Sequence, residues 1–237
     1  MRNKKITTFI FLLGCIGIFV ALPACQTGSI IEKNKSYKAE AIVNPGIAIC
    51  LSQLFTIENP DDVKDDLGDG NPKDVYLTFF KRQLPIALAQ HSTIRKTIFL
   101  APRINLEYDT NYVLTTHAIG RRGLISMYEP KPTSRITVGD STIRFILFIE
   151  KLNISRAQVM GSMSVGAGHN QTSVTTRTDV LAHKFNFVVW DMQAKKSVNY
   201  GSIEANDEIG LTMTKRDWET ILESAVKEIV TGTPFEK

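Results

Sequence analysis

Residues 180–190, VLAHKFNFVVW, decide the fold because apolar and polar side chains alternate along them. One face carries the large apolar side chains of Phe185, Phe187 and Val189. The other face carries Lys184 and Asn186, and this period of two predicts a strand with one buried face. Residues 193–196 then predict a turn, and residues 197–205 predict a return strand that completes a hairpin.

The C-terminal segment predicts an amphipathic helix that covers one face of this sheet. Thr214 and Asp217 have the spacing of a capping box, in which the side chain three residues on reaches back to the cap amide. Apolar residues then repeat every three or four positions at Trp218, Ile221, Leu222, Ala225 and Ile229. Gly232 and Pro234 predict the end of the helix.

The remaining segments predict one α+β domain. Short β-rich runs that favour strands occupy residues 46–51, 94–100 and 143–152. An acidic loop is expected over residues 59–71, followed by a helix to about Ser92 that Pro85 should kink or divide. The predicted fold class is therefore a mostly antiparallel sheet with a kinked helix and the C-terminal helix packed on one face.

The N-terminus has the layout of a secretory signal peptide. Residues 1–5 are basic, residues 6–22 are mainly apolar, and small or turn-forming residues follow. Leu22-Pro23-Ala24-Cys25 resembles a bacterial lipobox, although Pro23 departs from the usual small residue. The resemblance implies removal of residues 1–24 and lipidation of Cys25. A retained signal anchor and plain secretion are the alternatives.

Behind Cys25 the sequence predicts a tether and then the domain. Residues 25–46 are mostly polar and predict a flexible tether with a reach of about 25 Å, and residues 47–237 form the domain. An alternative is that Ile30, Ile31 and residues 41–43 dock on the domain as an edge strand. In bacterial lipoproteins, a residue other than Asp after the cysteine favours the outer membrane, and here it is Gln26.

Composition and charge exclude several classes of protein. The chain has 237 residues, 43% of them hydrophobic and 22% charged, which excludes collagen-like, coiled-coil and broadly disordered chains. The net charge is +4, but removal of Arg2, Lys4 and Lys5 leaves 25 basic and 24 acidic residues. Bulk charge therefore gives no support to nucleic-acid binding.

No local motif indicates catalysis, a metal site or a cofactor. The four histidines, none with metal-ligand spacing, are His91, His117, His169 and His183. The acidic loop fails the EF-hand pattern at two positions, and Arg121-Arg122 reads as a solvated basic turn. Cys50 reads as a buried apolar residue. An enzyme, in the form of a hydrolase, would need a dispersed site such as His117, His183 and Asp191.

The order of elements resembles a loose group of bacterial envelope lipoproteins. Their periplasmic domains are similar to the N-terminal domain of TolB or to lipoprotein activators of penicillin-binding proteins. The resemblance covers residues 46–232 and rests on the Val188-Val189-Trp190-Asp191 strand with its return strand, and on the C-terminal helix. It implies a fold and carries no catalytic or binding motif.

These observations together predict a lipid-anchored, non-catalytic partner of another envelope protein or complex, facing the periplasm at the outer membrane. A binding surface is expected at the small, polar loop 161–178, at the tip of a long hairpin, with a simple connector as the equal alternative. A surface-exposed antigen or adhesin is a further alternative. The sequence does not indicate the oligomeric state.

Overall fold

The computed structural model describes residues 28–38, 42, 44–52, 55–100, 109–134, 136, 138–139, 142–165, 172–210 and 212–237, with residues 162–165 and 172–175 described by their backbone. In chain order the elements are β1 (Ile30–Lys33), β2 (Gly46–Leu51), β3 (Thr56–Ile57), α1 (Pro60–Leu67), α2 (Pro72–His91), β4 (Lys96–Phe99), β5 (Tyr112–Ile119), β6 (Gly123–Pro130), β7 (Ile143–Val165), β8 (Thr172–Asp191), β9 (Lys196–Glu208) and α3 (Lys215–Val230). The predicted α+β class is confirmed.

The main sheet has seven strands and is mixed. Its order is β1-β9-β8-β7-β2-β4, and β3 pairs with β7 outside this path. Adjacent strands along the path β1-β9-β8-β7 are antiparallel, whereas β2 is parallel to both β4 and β7. The continuous apolar run of β2 suits an interior strand, because all of its six residues are buried between two layers.

Helices α2 and α3 lie together on one face of the sheet, as predicted. They share one hydrophobic core with alternate residues of the strands, among them Ile47 and Ile49 of β2. All five residues of the predicted apolar stripe on α3 are buried: Trp218, Ile221, Leu222, Ala225 and Ile229. The capping box is also confirmed, because the Asp217 carboxylate accepts from the Thr214 amide at 2.7 Å.

Helix α2 begins and ends where the sequence predicts, but it is not divided. Asn71 caps it, since its side chain accepts a 3.0 Å hydrogen bond from the Lys73 amide. The helix then continues through Pro85 as one element to His91. Packing of Leu84 and Leu88 in the core holds the turns on both sides of the proline.

The other face of the sheet is covered by the antiparallel hairpin of β5 and β6. Its inward side chains, such as Ile125 and Met127, join a second core with the residues of β2 that point away from the helices, Ala48 and Cys50. The sheet is therefore the middle layer of three, and this second cover is absent from the predicted architecture.

Candidate functional site

The structure keeps His117, His183 and Asp191 apart, although the predicted dispersed site needs them together. His183 lies on β8 and faces the helices, where it is 1% exposed. Asp191 ends the same strand eight residues later, which at about 3.4 Å per residue is roughly 27 Å away. His117 lies on β5, on the opposite side of the sheet. The described residues therefore do not assemble the predicted hydrolase site.

Asp191 binds the N-terminal segment to the end of the sheet. Its buried carboxylate accepts from the Arg144 guanidinium at 2.8 and 3.0 Å and from the Tyr37 hydroxyl at 2.8 Å. Its other oxygen accepts from the amides of Gln193 and Ala194 at 2.8 and 3.0 Å. Burial alone would raise the pKa of Asp191, but these hydrogen bonds and the Arg144 charge hold it below its usual value. A fully hydrogen-bonded carboxylate of this kind is structural.

His117 joins the hairpin to the sheet. Its Nε2 lies 2.8 Å from Oε1 of Glu129 on the neighbouring strand, and both side chains are largely buried. The His117 ring stacks on Tyr200 of β9, with 4.0 Å between the ring centroids. Burial, Glu32 and Glu129 raise the pKa of the Tyr200 hydroxyl. The Glu129 carboxyl, the His117 imidazole and the Tyr200 phenol together form a polar contact between the hairpin and the sheet.

His183 lies in an aromatic cluster beneath the helices. Its ring meets Tyr76 edge-on at 5.7 Å and Trp218 at 6.2 Å. Burial lowers the pKa of His183 to about 3, so the ring is neutral at physiological pH. Among the described residues, neither its Nε2 nor the Tyr76 hydroxyl has a hydrogen-bond partner.

The other residues considered as chemical groups also have structural surroundings. His91 lies at the surface of α2, where its Nε2 is 3.0 Å from Oε1 of Glu223. Cys50 is 4% exposed in the core beneath the hairpin, as predicted. His169 and Cys25 lie outside the described residues. Within the described part of the chain, no group of three or more His, Cys, Asp or Glu is placed to hold a metal ion.

The predicted acidic loop is in fact helix α1, so that prediction is wrong. Pro60 at the first turn and Asp61 and Asp62 near the positive end of the helix favour it, and Val63 is buried beneath it. The acidic side chains contact protein groups: Asp66 accepts from the Trp218 indole at 3.0 Å. The missed signal was Asn-Pro-Asp-Asp, which matches a helix start.

The edge-strand alternative, and not the free tether, describes residues 30–33. β1 pairs antiparallel with β9, with Ile30 opposite Ser202 and Lys33 opposite Asn199. Asn34 then donates to the Ser197 carbonyl at 2.9 Å. The chain is therefore attached to the domain from Ile30 onward, so the segment between Cys25 and the domain is shorter than the predicted tether.

The predicted long hairpin is formed by β7 and β8, and it extends past the rest of the sheet. β9 ends with Glu208 opposite Val180, whereas β7 and β8 continue to pair as far as Val165 opposite Thr172. We call residues 157–165 and 172–179 the arm; it is roughly 27 Å long at about 3.4 Å per residue. Most of the predicted loop 161–178 is therefore strand.

The arm exposes both backbone and apolar side chains. Val159 is 40% exposed and Met160 is 72% exposed. A two-stranded ribbon is marginally stable alone in water, and its unpaired edges accept additional strands. Among the surfaces of the described chain, the arm is our candidate binding site.

Helices in the described residues are too short or too polar to cross a membrane. No family model and no curated protein sequence matches the chain. Among solved structures, the PelC dodecamer from Paraburkholderia phytofirmans aligns over 86% of this chain and 95% of its own, with 11% identity and a TM-score of 0.35. A point variant of the same PelC covers 86% and 96%, with 9% identity and a TM-score of 0.34. Likeness at this level carries no argument about function.

Proposed function

We propose that the chain is a lipid-anchored protein of the bacterial cell envelope that binds another envelope protein or complex and has no catalytic role. Cys25 would carry the lipid after removal of residues 1–24. Gln26 favours the outer membrane, and the domain would face the periplasm. The observation that carries the binding role is the arm, which projects beyond the third strand with Val159 and Met160 exposed.

The arm supports binding for two physical reasons. The Asp179 carbonyl at the base of the arm accepts from the Ile209 amide at 2.9 Å. Beyond it, within the described part of the chain, β7 and β8 of the arm pair only with each other, so an extended segment of a partner can add to their outer edges as a further strand. Alternate side chains such as Met160 can then enter apolar pockets of that partner and supply selectivity. Ordering of a marginally stable ribbon by the partner would complete its hydrogen bonding.

The binding role is tested by photo-crosslinking in native membranes. A photoreactive residue at Met160 should give an adduct with a distinct envelope protein, identified by mass spectrometry, and Val159→Asp should abolish it. The same residue placed at Ile86, which is 49% exposed on α2, is the matched control. Equal labelling from both positions contradicts the proposal, as does an adduct containing two copies of this chain alone.

The anchor has a separate test. Cys25→Ala should move the protein from the membrane fraction to the soluble fraction and abolish labelling with palmitate, because two or three acyl chains are what hold a lipoprotein stably. An unmodified N-terminus in the intact mass of the mature protein contradicts lipidation.

A further inference from the structure

The tip of the β5–β6 hairpin lies over the edge strand that leads to Cys25. The hairpin crosses the sheet diagonally: Tyr112 packs on an aromatic ring of β7, and His117 stacks on Tyr200 of β9. At the tip, the Gly120 amide donates a 3.1 Å hydrogen bond to the Glu32 carboxylate of β1. A methyl group added at Gly120 would lie 3.5 Å from Cγ2 of Ile30. The tip and the start of β1 are therefore in contact.

This tip combines two cations with an exposed apolar side chain. Arg121 and Arg122 are both exposed in the turn that follows Gly120. Leu124, at the start of β6, is 71% exposed, and Ile30 beside the tip is 39% exposed. We call Arg121, Arg122 and Leu124 the hairpin tip. Arginine next to an exposed leucine is suited to a surface that presents phosphates above an apolar layer.

The length of the chain brings a bilayer within reach of this surface. Cys25 lies three positions before Gly28, where the described chain begins. Even fully extended, three residues span at most about 11 Å. Ile30, which lies beside Gly120 at the turn of the hairpin, is two residues further along. A lipidated Cys25 would hold the hairpin tip close to the headgroups, in place of the 25 Å reach expected for a free tether.

We propose that the hairpin tip is a second membrane contact, which orients the domain on the bilayer. Arg121 and Arg122 bind the phosphates of anionic phospholipids, and Leu124 enters the interface between headgroups and acyl chains. This inference rests on the proposed lipid anchor at Cys25. Each arginine near an anionic surface raises membrane affinity roughly fivefold, which is too little to anchor the protein alone but enough to orient a domain already attached.

Quenching by brominated lipids tests this contact in the full-length lipidated protein. The protein is reconstituted in vesicles of phosphatidylethanolamine and phosphatidylglycerol whose acyl chains carry bromine. Leu124→Trp is the reporter, and Ile86→Trp on α2 is the matched control at another exposed apolar position. The native Trp190 and Trp218 are 5% and 1% exposed and give the same background in both variants.

We expect the added fluorescence of L124W to be quenched severalfold more than that of I86W. In the L124W background, the double change Arg121→Ala and Arg122→Ala should remove most of this difference, as should replacement of phosphatidylglycerol by phosphatidylcholine. Equal quenching of L124W and I86W in protein that still floats with the vesicles overturns the inference and leaves the anchor intact. Quenching that is unaffected by loss of both arginines overturns the role of the phosphates. Failure of the unsubstituted protein to float, with an unmodified Cys25, instead overturns the proposed anchor.

Discussion

Tyr37 donates a 2.8 Å hydrogen bond to the buried carboxylate of Asp191, which lies 154 residues further along the chain. The same oxygen accepts from Arg144, so a cation and a phenol share one acceptor. Burial and the neighbouring carboxylate raise the pKa of Tyr37, which keeps its hydroxyl protonated as a donor. Through this contact the segment after β1 is fixed to the end of the hairpin formed by β8 and β9.

Arg144→Ala should destabilise the protein strongly, because it leaves the Asp191 carboxylate buried without a cation. The Asp191 side chain is 0% exposed, and removal of one partner from such a pair costs about 3–5 kcal/mol. Urea denaturation at pH 7 measures the change in free energy of unfolding. Arg156→Ala is the control, since its 3.6 Å contact with Asp62 is partly exposed and should contribute less than about 1 kcal/mol. Equal losses in the two variants would contradict this account.

Gly201→Ala should detach β1 from the sheet. A Cβ at Gly201 would collide with the carbonyl oxygen of Ile30 and lie 3.0 Å from the Cα of Ile31, and backbone atoms cannot move aside cheaply. Amides of β1 should lose protection in hydrogen exchange, whereas those of β2, which is paired on both sides, should keep it. Gly210→Ala is the matched control, because its nearest neighbour would be 4.0 Å away. Unchanged protection of β1 in the Gly201 variant would show that the edge strand can shift to accept a methyl group.

Phe235→Ala should cost about 3–5 kcal/mol, although the residue lies beyond the last helix. Phe235 is 0% exposed, and its ring packs on Phe145 of the central strand β7 at 4.8 Å. Its carbonyl also accepts from the Thr93 amide at 2.8 Å, which fixes the C-terminal segment to the end of α2. Thermal unfolding measures the loss of stability. Met160→Ala is the control, because the exposed Met160 side chain should change stability by no more than about 0.5 kcal/mol. A loss below about 1 kcal/mol would mean that the core closes without this ring.

The elements that the sequence predicts well are those with a strong local period. The alternating Phe185, Phe187 and Val189 face the same core as the stripe on α3, whereas Val188 and Trp190 of the same strand face the second core beneath the hairpin. Their burial follows directly from those periods, since a strand or helix with one apolar face must cover it. The continuous run of β2 likewise indicates a buried strand, and the structure places it between two layers.

The elements that the sequence leaves open or misses depend on distant partners. β1, which the sequence offers only as the alternative to a tether, is four residues long, and its register is set by β9, about 170 residues away. The diagonal course of the β5–β6 hairpin depends on contacts such as His117 with Tyr200, which leave no local signal. In α1 a single buried residue, Val63, gives too weak a period to outweigh the five aspartates nearby. The hairpin tip acquires its neighbours through these distant pairings, so the sequence shows two arginines in a turn and no more.

His183 connects the stability of the core to pH. It is buried among Tyr76 and Trp218, and the Tyr76 hydroxyl also has no hydrogen-bond partner among the described residues. Burial lowers the pKa of His183 to about 3 in the folded protein, against about 6.5 in an unfolded chain. Between these values the unfolded chain binds the extra proton, so folding becomes less favourable as the pH falls.

His183→Phe should therefore flatten the dependence of stability on pH between about 6.5 and 3. The neutral imidazole contributes fully above pH 6.5, and below it the wild-type protein should lose up to about 1.4 kcal/mol per pH unit from this group. Urea denaturation at pH 7.5, 5.5 and 4 measures the slope. The pKa of Asp191 is also lowered, so protonation of this carboxylate reduces stability only below about pH 4, near its usual pKa. This contribution is the same in the variant and the wild-type protein. His91→Ala, at the surface, is the control. If stability changes with pH equally steeply in the His183→Phe variant and the wild-type protein from pH 6.5 to 4, the buried ring is not the group that senses pH.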